Sequence, residues 1–313
     1  MTALQKNHLI KYVNLSVVLF FCLLQTSYCL SATGKLSHLY DITLADNLAL
    51  SLPSDVSVTK NGKVCIVDGG NDRIVIFTNS GRFDTTIGSS GSSRGQFNGP
   101  VGIATDAKGQ IYVADKGNHR IQIFKANGKL KQIIPTVLDG ENVLPVDVAV
   151  SGKDGTIYVT SNNHHRILSY TSDGKLIKSW GGQGSNPGEF RFPATLTISA
   201  DNLVGAVDVL NSRAQLFDND GKHLATLGTW GVLPGQLFRP KGIATDDKGQ
   251  FYISDSYLEV IQVFDYETRF LYVLGGTSSP HRFTSPTGIA LDSDDRLFVA
   301  EMLANRISVY KLD

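Results

Sequence analysis

The stretch GIATDAKGQIYVADKGNHRIQIF, residues 102–124, decides the fold. It holds two runs dense in β-branched and aromatic residues, Ile111 to Ala114 and Ile121 to Phe124, each of strand length and too short for a helix. Pro100 and Val101 lead into it, and Lys129 to Ile134 follows it. Lys108-Gly109 and Asn127-Gly128 supply the residues that tight hairpin turns need. The segment predicts four consecutive short strands joined by turns.

The same pattern is written six times. Its leading proline recurs as Pro53, Pro100, Pro145, Pro193, Pro240 and Pro286, at spacings of 47, 45, 48, 47 and 46 residues. The second strand closes on an acid in five copies, namely Asp68, Asp115, Asp208, Asp255 and Glu301, with Ser161 in the third. Five residues further on stands an arginine in five copies: Arg73, Arg120, Arg166, Arg213 and Arg306. A single active site would not repeat around the chain, so these residues are read as a structural lattice in which acid and arginine satisfy the backbone of the turn between them.

Six units of four strands predict an all-β fold, a six-bladed β-propeller that protects its sheet edges by closing into a ring. The sixth copy stops at Tyr310-Lys311-Leu312-Asp313, after its third strand. Gly34 lies as far before Pro53 as Gly81 before Pro100, so residues 34 to about 42 are expected to complete the last blade.

At 313 residues and 42% hydrophobic content, the chain can bury a large core, and nothing in it suggests disorder. Lys6, His8 and Lys11 precede an apolar run from Val13 to Leu24, followed by Ser27-Tyr28-Cys29, which predicts a signal peptide over residues 1–29 and a propeller over 30–313. Retention of the leader as an anchor, or lipidation at Cys29, is the minority reading. The run is too short to span a bilayer, so no membrane span is expected beyond the leader. Secreted or periplasmic placement follows. Without Lys6 and Lys11 the chain carries 27 basic against 29 acidic residues, which argues against nucleic acid as a partner. Cys65, in the run Val64 to Val67, is read as a core residue, and a monomer is expected.

Residues 102–124, with Asn118-His119-Arg120, closely resemble the NHL repeat consensus. So do the spacers ending Gly95-Gln96-Phe97, Gly188-Glu189-Phe190 and Gly235-Gln236-Leu237. The resemblance runs in register through residues 34–313, and copy five departs most, with Glu259-Val260 in the arginine region. It implies a propeller but leaves function open. NHL propellers serve as RNA-binding domains of tripartite-motif proteins, as sensor domains of bacterial kinases and as the catalytic domain of peptide α-amidating lyases, and lactonases are related. Function must be argued from the site.

In such a propeller the loops leading into each first strand gather around one mouth of the channel. Those loops carry Arg94, Phe97, Arg191, Phe192, Arg239, Lys241, His281 and Arg282, and just inside them stand Asp55, Gly102, Asp147, Thr195, Gly242 and Gly288. Amidating lyases place zinc-binding histidines directly after the leading proline. Here those positions are Ser54, Val101, Val146, Ala194, Lys241 and Thr287, so that activity is not expected. His119 and His165 are read as structural. No cofactor is expected. The alternative is a metal-dependent hydrolase or lyase, lactonase-like, with Ca²⁺ at the channel mouth on Asp55 and Asp147. The preferred reading is a non-catalytic binding or scaffold propeller whose partner is a protein, peptide or glycan outside the cytoplasm. Its expected contacts are Asp55, Arg94, Phe97, Asp147, Arg191, Phe192, Arg239, Lys241 and Arg282, with the two phenylalanines as apolar anchors.

Overall fold

The computed structural model describes residues 34–276 and 282–313. The expected leader, Cys29 and His281 lie outside these residues. Six four-stranded antiparallel sheets form the blades. Blade 2 is representative, with strands Pro100–Thr105, Ile111–Asp115, Arg120–Phe124 and Leu130–Pro135 from the channel outward. The innermost strands of the others are Pro53–Val58, Pro145–Val150, Pro193–Ile198, Pro240–Thr245 and Pro286–Leu291. Each packs on the next, and the last returns to the first. The leading proline takes the first position of each, where a missing N–H breaks no ladder.

The alternation of a strand explains the core. Successive side chains point to opposite faces of a blade, so each blade feeds two separate clusters. In the second strand of blade 1, Cys65 and Val67 pack with Ile103, Val113 and Phe124 of blade 2, whereas Val64 and Ile66 pack with Phe298 and Ile307 of blade 6. Six such clusters fill the six junctions between blades. Cys65 is fully buried, and burial pushes its thiol up to about 12, which keeps it protonated and unreactive.

The ring is closed as the repeat count requires. Strand Leu36–Ile42 pairs antiparallel with Arg306–Leu312, Leu36 opposite Leu312 and Ile42 opposite Ile307. The last blade thus takes its outermost strand from the start of the described chain.

The acids of the lattice act elsewhere than the spacing suggested. Asp68, Asp115, Asp208, Asp255 and Glu301 are fully buried, and each accepts a backbone N–H from the loop leading into its own blade, 17 residues earlier: Ser51, Asn98, Arg191, Phe238 and Thr284. From the turn that follows, Asp68, Asp115 and Asp208 accept the side-chain amide of Asn71, Asn118 and Asn211, and among the described residues only Asp255, whose blade lacks the arginine, accepts backbone N–H groups there, from Tyr257 and Leu258. The arginine Nε of Arg73, Arg120 and Arg213 donates to the acid at 2.7, 2.7 and 2.9 Å, and Arg306 pairs with Glu301 at 3.0 Å. The guanidinium ends of Arg120 and Arg213 then reach carbonyls of the same lead-in loop, such as Gln96 and Glu189. Arg166, facing Ser161, has no such acid to meet. Reading the sequence missed a third member of the lattice. Gln122, Gln215 and Gln262, each two residues past the arginine position, accept a loop N–H from Gly95, Gly188 and Gly235 and donate to the next carbonyl.

Neighbouring blades are also latched. Four residues past each acid position the chain turns through the left-handed region, at Asp72, His119, His165, Ser212, Glu259 and Asn305, with φ between 48° and 58°. Every one of these side chains reaches the next blade's lead-in loop. Asp72 accepts from Gly99 N, His119 Nδ1 meets the Val143 carbonyl at 3.3 Å, and His165 Nδ1 accepts from Phe192 N at 3.1 Å. Ser212 donates to the Phe238 carbonyl, Glu259 pairs with Arg282, and Asn305 of blade 6 accepts from Leu52 of blade 1. The two histidines are therefore blade latches, in keeping with their structural reading.

Candidate functional site

Every innermost strand begins with a β-bulge: Pro100 faces Asp115, yet Ile103 already faces Val113. The same slip follows Pro53, Pro145, Pro193, Pro240 and Pro286. A bulge re-aims side chains and leaves backbone N–H groups without ladder partners. Here it sends the residue after each proline into a funnel at the channel mouth. Asp55, Asp147 and Thr195, the next residue in their blades, line the channel beneath it.

In the channel, Asp55 and Asp147 are nearly buried, and their oxygens serve the bulges. Asp55 accepts from Val56 N and from Ile103 N of the next blade, both at 2.9 Å. Asp147 accepts from Val148 N and from Leu196 N of the next blade, both at 2.7 Å. Each carboxyl lies over a glycine of the preceding blade. A Cβ on Gly102 would stand 2.5 Å from the Asp147 Cα, and one on Gly288 would stand 2.6 Å from the Asp55 Cα. Burial raises both carboxyls, Asp55 to about 7, and the two are near enough for the charge of one to raise the other. Burial and their mutual repulsion thus favour the protonated form of the pair. As a calcium site it falls short. Ca²⁺ asks for six to eight oxygens, roughly. These carboxyls bring four, each already accepting a backbone N–H, and no third His, Cys, Asp or Glu among the described residues joins them.

The funnel above has a volume of about 470 Å³. Its inner ring is Ser54, Val101, Val146, Ala194, Lys241 and Thr287, and its rim includes Phe192, Leu210, Arg239, Ser256 and Met302. Lys241 is half-buried. Its ammonium has no carboxylate partner among the described residues, and burial together with Arg239 lowers its pKa. Four hydroxyls of the lining are already turned away as donors: Ser54 to the Val101 carbonyl, Thr195 to that of Lys241, Ser256 to that of Arg239 and Thr287 to that of Ala300, while Asn162 and Ser285 complete its polar side chains.

Three aromatics continue the rim outward. The Phe238 and Tyr257 rings lie 4.4 Å apart, Trp230 is 6.3 Å from Phe238, and the Arg239 guanidinium sits 5.9 Å over Phe238. Trp230 is 71% exposed and Tyr257 64%, with Val232 and Leu233 exposed beside them. A monomer surface seldom leaves such large apolar groups together in water without use.

Of the expected contacts, the structure brings Phe192, Arg239 and Lys241 together at the funnel and sets Asp55 and Asp147 below it. Arg94 and Arg191 are exposed but outside the funnel lining, and Arg282 is committed to Glu259. Phe97 is corrected as an apolar anchor: it has no exposed surface and packs against Phe124, 5.8 Å between rings, because its place in the spacer plugs the junction of blades 1 and 2. Trp230 was missed. Its signal is present in the aligned spacers, which read Gly88-Ser-Ser-Gly-Ser-Ser-Arg-Gly95, Gly181-Gly-Gln-Gly-Ser-Asn-Pro-Gly188 and Gly228-Thr-Trp-Gly-Val-Leu-Pro-Gly235. Only the third is apolar.

The family model for the NHL repeat matches residues 50–77 and 97–124. The Protein brain tumor of Drosophila melanogaster is 30% identical over 129 residues, 41% of this chain and 12% of that protein, so the match spans a small part of the relative's length. Among solved structures, a gluconolactonase from Xanthomonas campestris superposes with a TM-score of 0.65 at 16% identity, covering 91% of this chain and 99% of that one. A catalytically inactive virginiamycin B lyase from Staphylococcus aureus with quinupristin gives 0.62 at 19%, covering 88% and 84%. At those identities the likeness is one of fold alone. With the family match lying in two of six copies in register, and all six folded as blades of one closed ring, the chain carries NHL repeats in a six-bladed β-propeller.

Proposed function

We propose that this propeller is a non-catalytic binding protein that works outside the cytoplasm and holds a protein, peptide or glycan partner on its channel-mouth face. The observation that carries this reading is the aromatic run of exposed Trp230, half-buried Phe238 and exposed Tyr257, leading from Arg239 and Lys241 at the funnel. Trp, Tyr and Arg dominate the energetics of protein interfaces, and a rim of this kind gives a partner both area and charge. The export element rests on the leader pattern of residues 1–29.

The test is capture of partners from a native secreted or envelope fraction by the protein and two variants. Arg239→Glu with Lys241→Glu, and Trp230→Ala, should each remove the same bound species while the melting temperature holds. Capture unchanged in both would place the partner surface elsewhere.

A further inference from the structure

From the donor and acceptor pattern of the funnel we infer that it captures the free C-terminus of a peptide chain, with an aliphatic last residue. The inference deepens the binding reading above and rests on it.

Three requirements of such a ligand are met by the funnel lining. The first is a single negative charge in a half-desolvated place. Lys241 offers an ammonium without a carboxylate partner, with Arg239 beside it, inside a ring that is otherwise uncharged. An unpaired cation is costly to bury, and a ligand carboxylate is the group that offsets the cost. A phosphate would add a second charge and need further donors. The hydroxyls of Ser54, Thr195, Ser256 and Thr287 cannot supply them, because their protons already go to backbone carbonyls, which leaves only Asn162 and Ser285 as further neutral donors in the lining.

Those same hydroxyls meet the second requirement. With their protons spent, Ser54, Thr195, Ser256 and Thr287 present only lone pairs. They can accept from a ligand and not donate to it, which suits the amide N–H of a terminal peptide unit. The third requirement is an apolar seat, and Val101, Val146 and Ala194 provide it side by side on the ring. A volume of about 470 Å³ lies within the range of roughly 300–1,000 Å³ typical of small-ligand sites. The preceding residues of the peptide would then leave across Phe238 and Tyr257.

The experiment is calorimetric titration of the full protein with three probes. These are an N-acetylated tetrapeptide ending in leucine with a free carboxylate, the same peptide as its C-terminal carboxamide, and 4-methylpentanoate. The free acid should bind about tenfold or more tighter than the carboxamide, the ratio expected for loss of one charged hydrogen bond. Lys241→Met should remove that preference and Lys241→Arg should retain much of it, with thermal melts confirming both folds. Equal binding of acid and carboxamide, or no binding at millimolar peptide, overturns the inference without need of any variant. Equal binding of 4-methylpentanoate and the free-acid peptide overturns the peptide assignment, since the amide would then contribute nothing. If these probes fail while partner capture still depends on Arg239 and Lys241, the C-terminal assignment falls and the binding reading stands.

Discussion

Truncating Asp115 to alanine should be among the most damaging single changes to this fold. Its buried carboxylate accepts from Asn98 N at 2.9 Å, Asn118 Nδ2 at 2.9 Å, Arg120 Nε at 2.7 Å and Gln122 Nε2 at 3.0 Å. Removal leaves a guanidinium that is only 12% exposed without its anion, and leaves a loop N–H without an acceptor. Breaking a buried pair from one side costs roughly 3–5 kcal/mol. Arg120 keeps its bonds to the Ser92, Ser93 and Gln96 carbonyls, which places the cost near the lower end. For a ring of this size about 3 kcal/mol lowers the melting temperature by some 6–12 °C, at about 2–4 °C per kcal/mol. The assay is denaturant unfolding of the parent, Asp115→Ala, Arg120→Ala and the double variant. The double should cost less than the sum of the singles by roughly 0.5–3 kcal/mol, because no orphaned cation remains. Blade 5 is the control: Asp255 serves only N–H groups of Phe238, Arg239, Tyr257 and Leu258, so Asp255→Ala strands no arginine and should cost less. If Asp115→Ala were no worse than Asp255→Ala, or additive with Arg120→Ala, the lattice argument would be refuted.

Gly102→Ala and Gly288→Ala should each destabilise by about 1–3 kcal/mol or more, measured by the same unfolding, since the new methyl meets the backbone of Asp147 or Asp55 and neither can step aside. The channel carboxyls predict a pH slope. The raised pKa values mean that the folded protein keeps a proton that the unfolded chain releases near pH 3.8, so stability falls as pH rises from about 4 through about 7, where Asp55 ionises in the fold. Asp147→Asn should flatten that slope in melts taken across the window. Deleting Leu36–Ile42 should expose the edge of Arg306–Leu312 and give a protein that aggregates or melts well below the parent, visible by light scattering on heating. Trp230→Ala, by contrast, should leave the melt within about 0.5 kcal/mol of the parent, as expected for an exposed side chain.

What could be read from the chain was set by what repeats. Six copies in register give the blade count, the closing strand and the lattice positions, because a repeated residue states its role six times over. The lattice was assigned to the wrong loop for a reason of distance. Asp115 and Arg120 are near in sequence, whereas the backbone they hold, at Asn98, lies on the other side of the innermost hairpin. Phe97 was misplaced because an aromatic in a Gly-rich spacer looks solvent-facing until the neighbouring blade is set against it. The funnel residues after each proline were named as positions, but their facing depends on a bulge that no residue type announces. Trp230 stood outside every repeat rule, and only a comparison of spacers exposes it.

The join between Leu36–Ile42 and Arg306–Leu312 has a mechanical side. Leu36 and Leu312 form the outer rung of an antiparallel ladder, and Asp313 N still reaches the Lys35 carbonyl at 3.4 Å. Tension applied between residue 34 and Asp313 would therefore fall on one rung at a time, as in the tearing of a zipper, and not on the whole ladder in shear. The ring would open at low force from this seam, while the same force applied across any other blade would meet a continuous hairpin.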